Sequence, residues 1–335
     1  MSSKKEALSS QNTWLITGVA GFIGSSILKR LLELNQKVYG YDNFITGYKK
    51  NIEDVKNSLT EEKWKNFKFI EGDIRDISSL NELKVNIDFI LHQAALGSVP
   101  RSIKNPIRSS DINISGFLNI LNFSKNKEIK KFVYASSSSV YGDHERLPKI
   151  ENLIGSQLSP YAITKRVNEM YANNFEELFE IKTIGLRYFN VFGPRQDPDG
   201  AYAAVIPKWI NAMINNDDVF INGDGTTSRD FCFVENVVDA NILSAICPNQ
   251  NDQNIFNIAC GDRTSLFQLF NLLKDAINAN GINYKKEPIL RDFREGDVLH
   301  SLADISLSRN ILGYNPKFNV ATGIPLTVKW FLENR

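Results

Sequence analysis

Apolar residues along this chain fall into short runs that alternate with longer stretches of helical spacing. Thr13 to Thr17 reads TWLIT, a run rich in strand formers, and from Phe22 to Leu34 the apolar positions recur at helical intervals. Similar short runs follow at KVYGYD (Lys37 to Asp42), FKFIEGD (Phe67 to Asp73), IDFILHQAA (Ile87 to Ala95) and KFVYASS (Lys131 to Ser137), separated by helical or mixed segments. A second long helical stretch, Tyr161 to Phe179, leads into the run IKTIGLR (Ile181 to Arg187). Such alternation predicts an α/β fold built on a doubly wound parallel sheet. After Asn190 the texture changes: Gly193, Pro194, Pro198, Gly200 and Pro207 punctuate the chain, and turns such as NGDG (Asn222 to Gly225) enter. The lobe boundary is therefore expected there. Residues 1–190 form the larger lobe, to which later segments return, and residues 191–335 form mainly a smaller C-terminal α/β lobe.

Length and charge narrow the function classes. The chain has 335 residues, beyond the roughly 250–300 at which a single core stops growing, which agrees with two lobes. Lys+Arg number 39 against 38 Asp+Glu, a net charge of +1, so neither nucleic acid nor an anionic membrane is an expected partner. The N-terminus MSSKKEALSSQN has no apolar core of a signal peptide, and no run approaches the ~18 apolar residues of a membrane span. The expectation is a cytoplasmic enzyme. Cys232, Cys247 and Cys260 are odd in number and scattered, which suits buried, reduced thiols rather than disulfides or zinc. His92, His144 and His300 lie far apart and are read as structural, so no metal site is expected.

The sharpest early motif is TGVAGFIG, Thr17 to Gly24, between the first strand and the first helix. Gly18 permits a tight turn, Gly21 lets backbone approach a pyrophosphate at the helix N-terminus, and Gly24 lets that helix pack close to the sheet. Asp42 ends the second strand, where a carboxylate accepts hydrogen bonds from an adenosine ribose. The same carboxylate repels a 2′-phosphate, so NAD is expected rather than NADP.

Tyr161 and Lys165, in SPYAITKRVNE, stand four apart on one face of a helix that begins near Ser159 and Pro160. A phenol of ordinary pKa about 10 needs roughly 4 kcal/mol of differential stabilisation to act as a base near neutrality. One cation at about 4 Å in an effective dielectric near 20 supplies about that much, before desolvation is subtracted. The positive ring of oxidised nicotinamide adds to it. The pair therefore suits removal of a hydroxyl proton as hydride leaves carbon.

With SSSSVYG (Ser136 to Gly142), HQAA (His92 to Ala95), RYFNVFGPRQ (Arg187 to Gln196) and RDFCFVENVVDA (Arg229 to Ala240) added in order, the chain resembles the extended short-chain dehydrogenase/reductase family. Within it, the likeness is to NAD-dependent nucleotide-sugar 4-epimerases, over essentially the full length. The resemblance implies a Rossmann-type NAD lobe and a smaller lobe that closes over a UDP-sugar. It implies catalytic Ser137, Ser138, Tyr161 and Lys165. It also implies an NAD site built from Gly18, Gly21, Phe22, Ile23, Gly24, Asp42, Asn43, Asp73, Ile74, Gln93, Ala94, Ala95, Tyr161, Lys165 and Tyr188. For the UDP-sugar it implies Ser98, Ser137, Ser138, Ser139, Tyr161, Asn190, Val205, Phe220, Asn222, Gly223, Arg229, Arg294 and Ser301. In that family Lys165 lowers the phenol pKa and binds the nicotinamide ribose, Arg229 and Arg294 clamp the diphosphate, and a homodimer forms through helices around Ile107 to Phe123 and Pro160 to Phe179.

The implied reaction is reversible inversion at C4 through a transient 4-keto sugar and bound NADH. The related dehydratases and decarboxylases carry an acidic residue just before VYG. Ser139 stands there instead, which favours hydride out and hydride back. Ser301 falls where glucose-restricted members place a bulky Tyr, so the expected pair is UDP-N-acetylglucosamine and UDP-N-acetylgalactosamine. A UDP-glucuronate or UDP-glucose 4-epimerase, or a related dehydratase or decarboxylase, is the alternative.

Overall fold

The computed structural model describes residue 8 and residues 10–198, 203–248, 253–293 and 299–334. Among the described residues, seven parallel strands make one sheet: β1 Thr13–Thr17, β2 Lys37–Asp42, β3 Phe67–Glu71, β4 Phe89–His92, β5 Lys131–Ser137, β6 Thr183–Tyr188 and β7 Ile255–Ile258. Their order is β7-β6-β5-β4-β1-β2-β3. The strands read as near-continuous apolar runs because helices cover both faces. Period-2 alternation then sorts side chains between two layers. Trp14, Ile16, Phe89, Leu91 and Val133 enter one buried cluster with Ile27, Leu31 and Val237, whereas Leu15, Ile90, Phe132 and Tyr134 enter the opposite one with Phe117 and Ile120.

The run Ile87–Ala95 yields a strand of only four residues, since the chain leaves the sheet after His92 to wall a cleft. Strand β7 comes from beyond residue 190 yet pairs with β6. The remaining later chain builds a third cluster from Phe192, Ile206, Trp209, Ile221, Phe270, Leu273, Ile324 and Val328. Phe22 and Ile23, at the glycine turn, pack against that cluster and so tie it to the mouth of the sheet. The helix expected over Ile107–Phe123 is interrupted by a π-helical turn, Asp111–Ser115, between the helices Pro106–Ser110 and Gly116–Lys125. Cys232 is buried as expected, but Cys247 and Cys260 are only half-buried, because each stands just past the end of a packed element.

Candidate active site

The strand order reverses at β1, which lies between β2 and β4, so the loops leaving β1 and β4 part and open a crevice at the carboxyl edge of the sheet. Three glycines shape the first of these loops. Gly18 has φ +72°, and a Cβ there would sit 2.6 Å from the Ala94 nitrogen. A Cβ on Gly24 would stand 2.1 Å from the Gly18 carbonyl oxygen, and one on Gly21 3.2 Å from the same oxygen. Only glycine therefore brings the first helix, Phe22–Glu33, down onto the turn with its N-terminal N–H groups facing the crevice.

The crevice is a cleft of about 320 Å³, and all fifteen residues expected to bind NAD line it. Sequence reasoning missed Tyr41, Ile45, Thr46, Gly47, Gly72, Leu96, Gly97, Ile112, Ala135 and Ser136, which complete its wall. Asp42 is buried in its wall; its Oδ2 accepts from the Ala20 N–H at 2.9 Å and its Oδ1 from the Phe44 N–H at 2.8 Å. Burial pushes its carboxyl above the usual range against those bonds, and each oxygen keeps a lone pair for a further donor. At the cleft floor Gln93, Tyr188 and Asn241 form a closed ring: Gln93 Nε2 donates to Asn241 Oδ1 at 3.0 Å, Asn241 Nδ2 to Tyr188 Oη at 2.8 Å, and Tyr188 Oη to Gln93 Oε1 at 3.1 Å. Asn241, also missed, is a polar residue buried inside a helix, which is its signal. The lining fits a dinucleotide: a glycine cradle with no room for side chains, a helix N-terminus and a carboxyl group with lone pairs left to accept.

Tyr161 and Lys165 lie on the helix Pro160–Phe179, capped by the Ser159 hydroxyl, which accepts from the Ala162 N–H at 3.2 Å. The Tyr161 N–H, one of the unpaired donors of that first turn, finds the hydroxyl of buried Ser102 at 3.0 Å. Asn113, in the π turn, accepts from the Leu96 N–H at 2.7 Å and donates to both the Leu96 carbonyl and Thr164. It pins the β4 loop to the Tyr161 helix, as π turns at functional sites often do.

Lys165 is buried and its Nζ donates to the Ala135 carbonyl at 2.7 Å. Burial pulls its ammonium down to about 8, while Glu169 opposes the fall. The ammonium stands 5.9 Å from the Tyr161 ring centroid, burial pushes the phenol above its usual value, and a hydrogen bond with Ser137 opposes that. Ser137 ends β5, and its oxygen accepts both the N–H and the hydroxyl of Ser139, at 3.2 and 2.9 Å. Ser138 begins the 3-10 turn Ser138–Tyr141. Ser136 is not filler: its hydroxyl donates to Glu169 at 2.7 Å.

On the substrate side, Asn190 Nδ2 donates to the Ser301 hydroxyl at 3.3 Å and to the Asp230 carbonyl at 3.1 Å, so those two expected residues meet. Arg229 is half-buried and donates to the Ser228 and Leu299 carbonyls. Phe220 and Asn222 lie on a two-stranded pair with Ile289–Arg291, and the Arg291 guanidinium stacks 3.3 Å over the Phe220 ring. Gly223 follows with φ +85°. Val205 opens the helix Val205–Ile214, and Ser98 caps the helix Val99–Lys104; neither lines the cleft. Arg294 lies outside the described residues.

Residues 14–259 match the NAD dependent epimerase/dehydratase family. The chain is 34% identical over 321 residues to the UDP-glucose 4-epimerase of Mycolicibacterium smegmatis, covering 95% of this chain and 97% of that protein. Among solved structures, the UDP-N-acetylglucosamine 4-epimerase of Methanobrevibacter ruminantium in complex with UDP-N-acetylmuramic acid is 36% identical with a TM-score of 0.87, over 97% of this chain and 100% of that one. The UDP-glucose 4-epimerase of Thermotoga maritima with UDP-glucose is 35% identical with a TM-score of 0.86, over 96% and 99%. A glycine cradle, a buried carboxyl group and a Tyr/Lys helix at the switch point of a parallel sheet thus coincide with sequence and structural likeness along nearly the whole chain, which belongs to the NAD dependent epimerase/dehydratase family.

Proposed function

We propose that this protein, an NAD-dependent UDP-sugar 4-epimerase, interconverts UDP-N-acetylglucosamine and UDP-N-acetylgalactosamine. What supports the sugar choice is Ser301, a small residue that accepts from Asn190 Nδ2 at 3.3 Å, where a bulkier side chain would compete with an acetamido group for space. Bound NAD supplies the acceptor and donor of hydrogen at C4. The protein's own residues do the rest. Tyr161 takes the O4 proton and returns it after the 4-keto sugar has turned, and Ser137, which opposes the rise that burial imposes on the same phenol, holds that oxygen. Ser138 and Ser139 flank the sugar. Lys165, fixed on the Ala135 carbonyl, would hold the cofactor ribose. The proposal treats residues 1–190 as the NAD lobe and residues 191–335 as mainly the UDP-sugar lobe, with Arg229 and Arg294 on the diphosphate.

The protein is also proposed to act as a homodimer. Ile103, Ile107, Ile163, Met170 and Leu178 are large apolar side chains left exposed on three helices, Val99–Lys104, Pro106–Ser110 and the Tyr161 helix, with Ile107 84% exposed. A face of that kind on adjacent helices suits a second copy of the same face.

The test is separate incubation with UDP-N-acetylglucosamine, UDP-glucose and UDP-glucuronate, with epimers resolved by proton NMR. Conversion of the N-acetylated sugar is expected. Conversion of UDP-glucuronate alone overturns the sugar assignment, and net NADH accumulation or loss of water or carbon dioxide overturns the epimerase reading.

A further inference from the structure

We propose that Glu169 is a positioning residue for this reaction, its buried carboxylate holding Lys165 in register with the end of the serine-bearing strand. The proposal rests on the epimerase reading above. Glu169 is 1% exposed and stands one helical turn beyond Lys165. Its Oε1 accepts from the Ser136 hydroxyl at 2.7 Å and from Arg187 Nε at 2.8 Å, and its Oε2 from Arg187 Nη2 at 2.9 Å and Arg166 Nη1 at 3.1 Å. One carboxylate therefore ties together β5, β6 and the Tyr161 helix. The arrangement is bidentate towards Arg187, the strong form of a charged hydrogen bond. Arg187 is fixed in turn by the Glu151 carbonyl at 2.7 Å and lies over the Tyr141 ring. Ser136 sits between Ala135, whose carbonyl receives Lys165, and Ser137, which hydrogen-bonds the phenol. A shift of Glu169 would thus move both ends of the catalytic group at once.

Glu169 also acts by charge. The groups around it and Lys165 are His92 on β4, Tyr134 on β5, Arg187 on β6, and Tyr161 and Arg166 on the same helix. Burial holds His92 neutral, down to about 3, and keeps the Tyr134 phenol protonated. The charged neighbours left are two arginines, both paired with Glu169, and Glu169 itself, which favours the Lys165 ammonium. Without the carboxylate, Lys165 loses its proton at lower pH.

The experiment compares pH–rate profiles of NAD-loaded wild type, Glu169→Gln and Arg166→Gln with UDP-N-acetylglucosamine and UDP-glucose. Arg166 is partly exposed, and its loss leaves the Arg187 pair intact, so that variant folds even if Glu169→Gln does not. Glu169→Gln is expected to move the alkaline limb of kcat down by about one pH unit and, for a limb near 8, to lower kcat at pH 8 by about fivefold, one unit being tenfold in proton affinity. Arg166→Gln, which removes a cation, is expected to move the limb upward by a few tenths of a unit. A uniform loss at every pH with unmoved limbs in the folded variants marks a merely structural role and overturns the proposal. Absence of turnover by wild type on either sugar overturns the epimerase reading and this proposal with it.

Discussion

The hydroxyl of Ser139 donates to the hydroxyl of Ser137 across 2.9 Å, and Ser137 in turn opposes the rise that burial imposes on the Tyr161 phenol. Ser137 thus stands between Ser139 and the base. Ser137→Ala removes the middle member, leaving the phenol with burial and no opposing hydrogen bond. It is expected to lower kcat by about 10²–10³-fold, the range for losing a donor at a developing oxyanion. Ser139→Ala, one step removed, should cost about tenfold or less on the same scale. Stopped-assay NMR under saturating sugar checks both, and wild-type turnover by Ser137→Ala defeats that placement.

Tyr161→Phe keeps the ring and its packing but deletes the group that carries the O4 proton. Turnover is expected to fall by about 10³–10⁴-fold, as for loss of a general acid–base, while bound NAD, read from absorbance of the isolated protein, stays unchanged. Turnover within tenfold of wild type assigns the proton to another group.

Much of this arrangement is legible in the sequence, and the reason differs between its parts. Strands β1, β2 and β5 and the Tyr161 helix follow from apolar period and from Ser159-Pro160, because those signals are local. The glycine turn is legible because each glycine answers a steric demand within seven residues or at one loop. What is not legible is contact at a distance. Gly47 lines the cleft because a Cβ there would strike Ala20, 2.8 Å away and 27 positions earlier. Ser136 looks like tract filler until Glu169 folds back against it. Lys165 is paired with Tyr161 by spacing, yet its ammonium donates to the carbonyl of Ala135, because burial demands an acceptor that helix periodicity does not reveal.

Asp42 carries two roles at once. It satisfies the N–H groups of Ala20 and Phe44 and leaves lone pairs towards the cleft. Asp42→Ala loses charged hydrogen bonds of about 1.5–3 kcal/mol, so NAD affinity should fall by roughly 10–100-fold. NADP, freed from repulsion at its 2′-phosphate, should lose far less or gain. Calorimetric titration of both dinucleotides checks this; an unchanged ratio of the two affinities removes Asp42 from cofactor choice.

Two copies of the chain are expected to meet through the helical face bearing Ile107 and Met170, 84% and 58% exposed. Charge placed there has no compensation in an apolar interface, so Ile107→Glu with Met170→Glu should halve the solution mass measured by light scattering. The fold should survive, because neither side chain enters a buried cluster. A wild-type mass equal to one chain discards the dimer.

Asp230 is buried and joins three segments by accepting from the N–H groups of Cys260 at 2.9 Å, Gly261 at 3.0 Å and Ala303 at 3.2 Å. Burial outweighs these bonds and raises its carboxyl to about 6, whereas an unfolded chain has it near 3.9. A group whose folded pKa lies above its unfolded one binds its proton more tightly when folded. Its contribution to stability is therefore greatest below about pH 4 and is lost as pH rises through about 6. Two units correspond to about 3 kcal/mol, an order-of-magnitude figure. Asp230→Asn cannot titrate and leaves one N–H facing an amide nitrogen. Its deficit against wild type should accordingly be larger at pH 4.5 than at pH 7.5, read by urea unfolding at both values. A deficit that instead grows with pH means that the carboxylate stabilises the folded chain, and the account of Asp230 as a buried, reluctant anion fails.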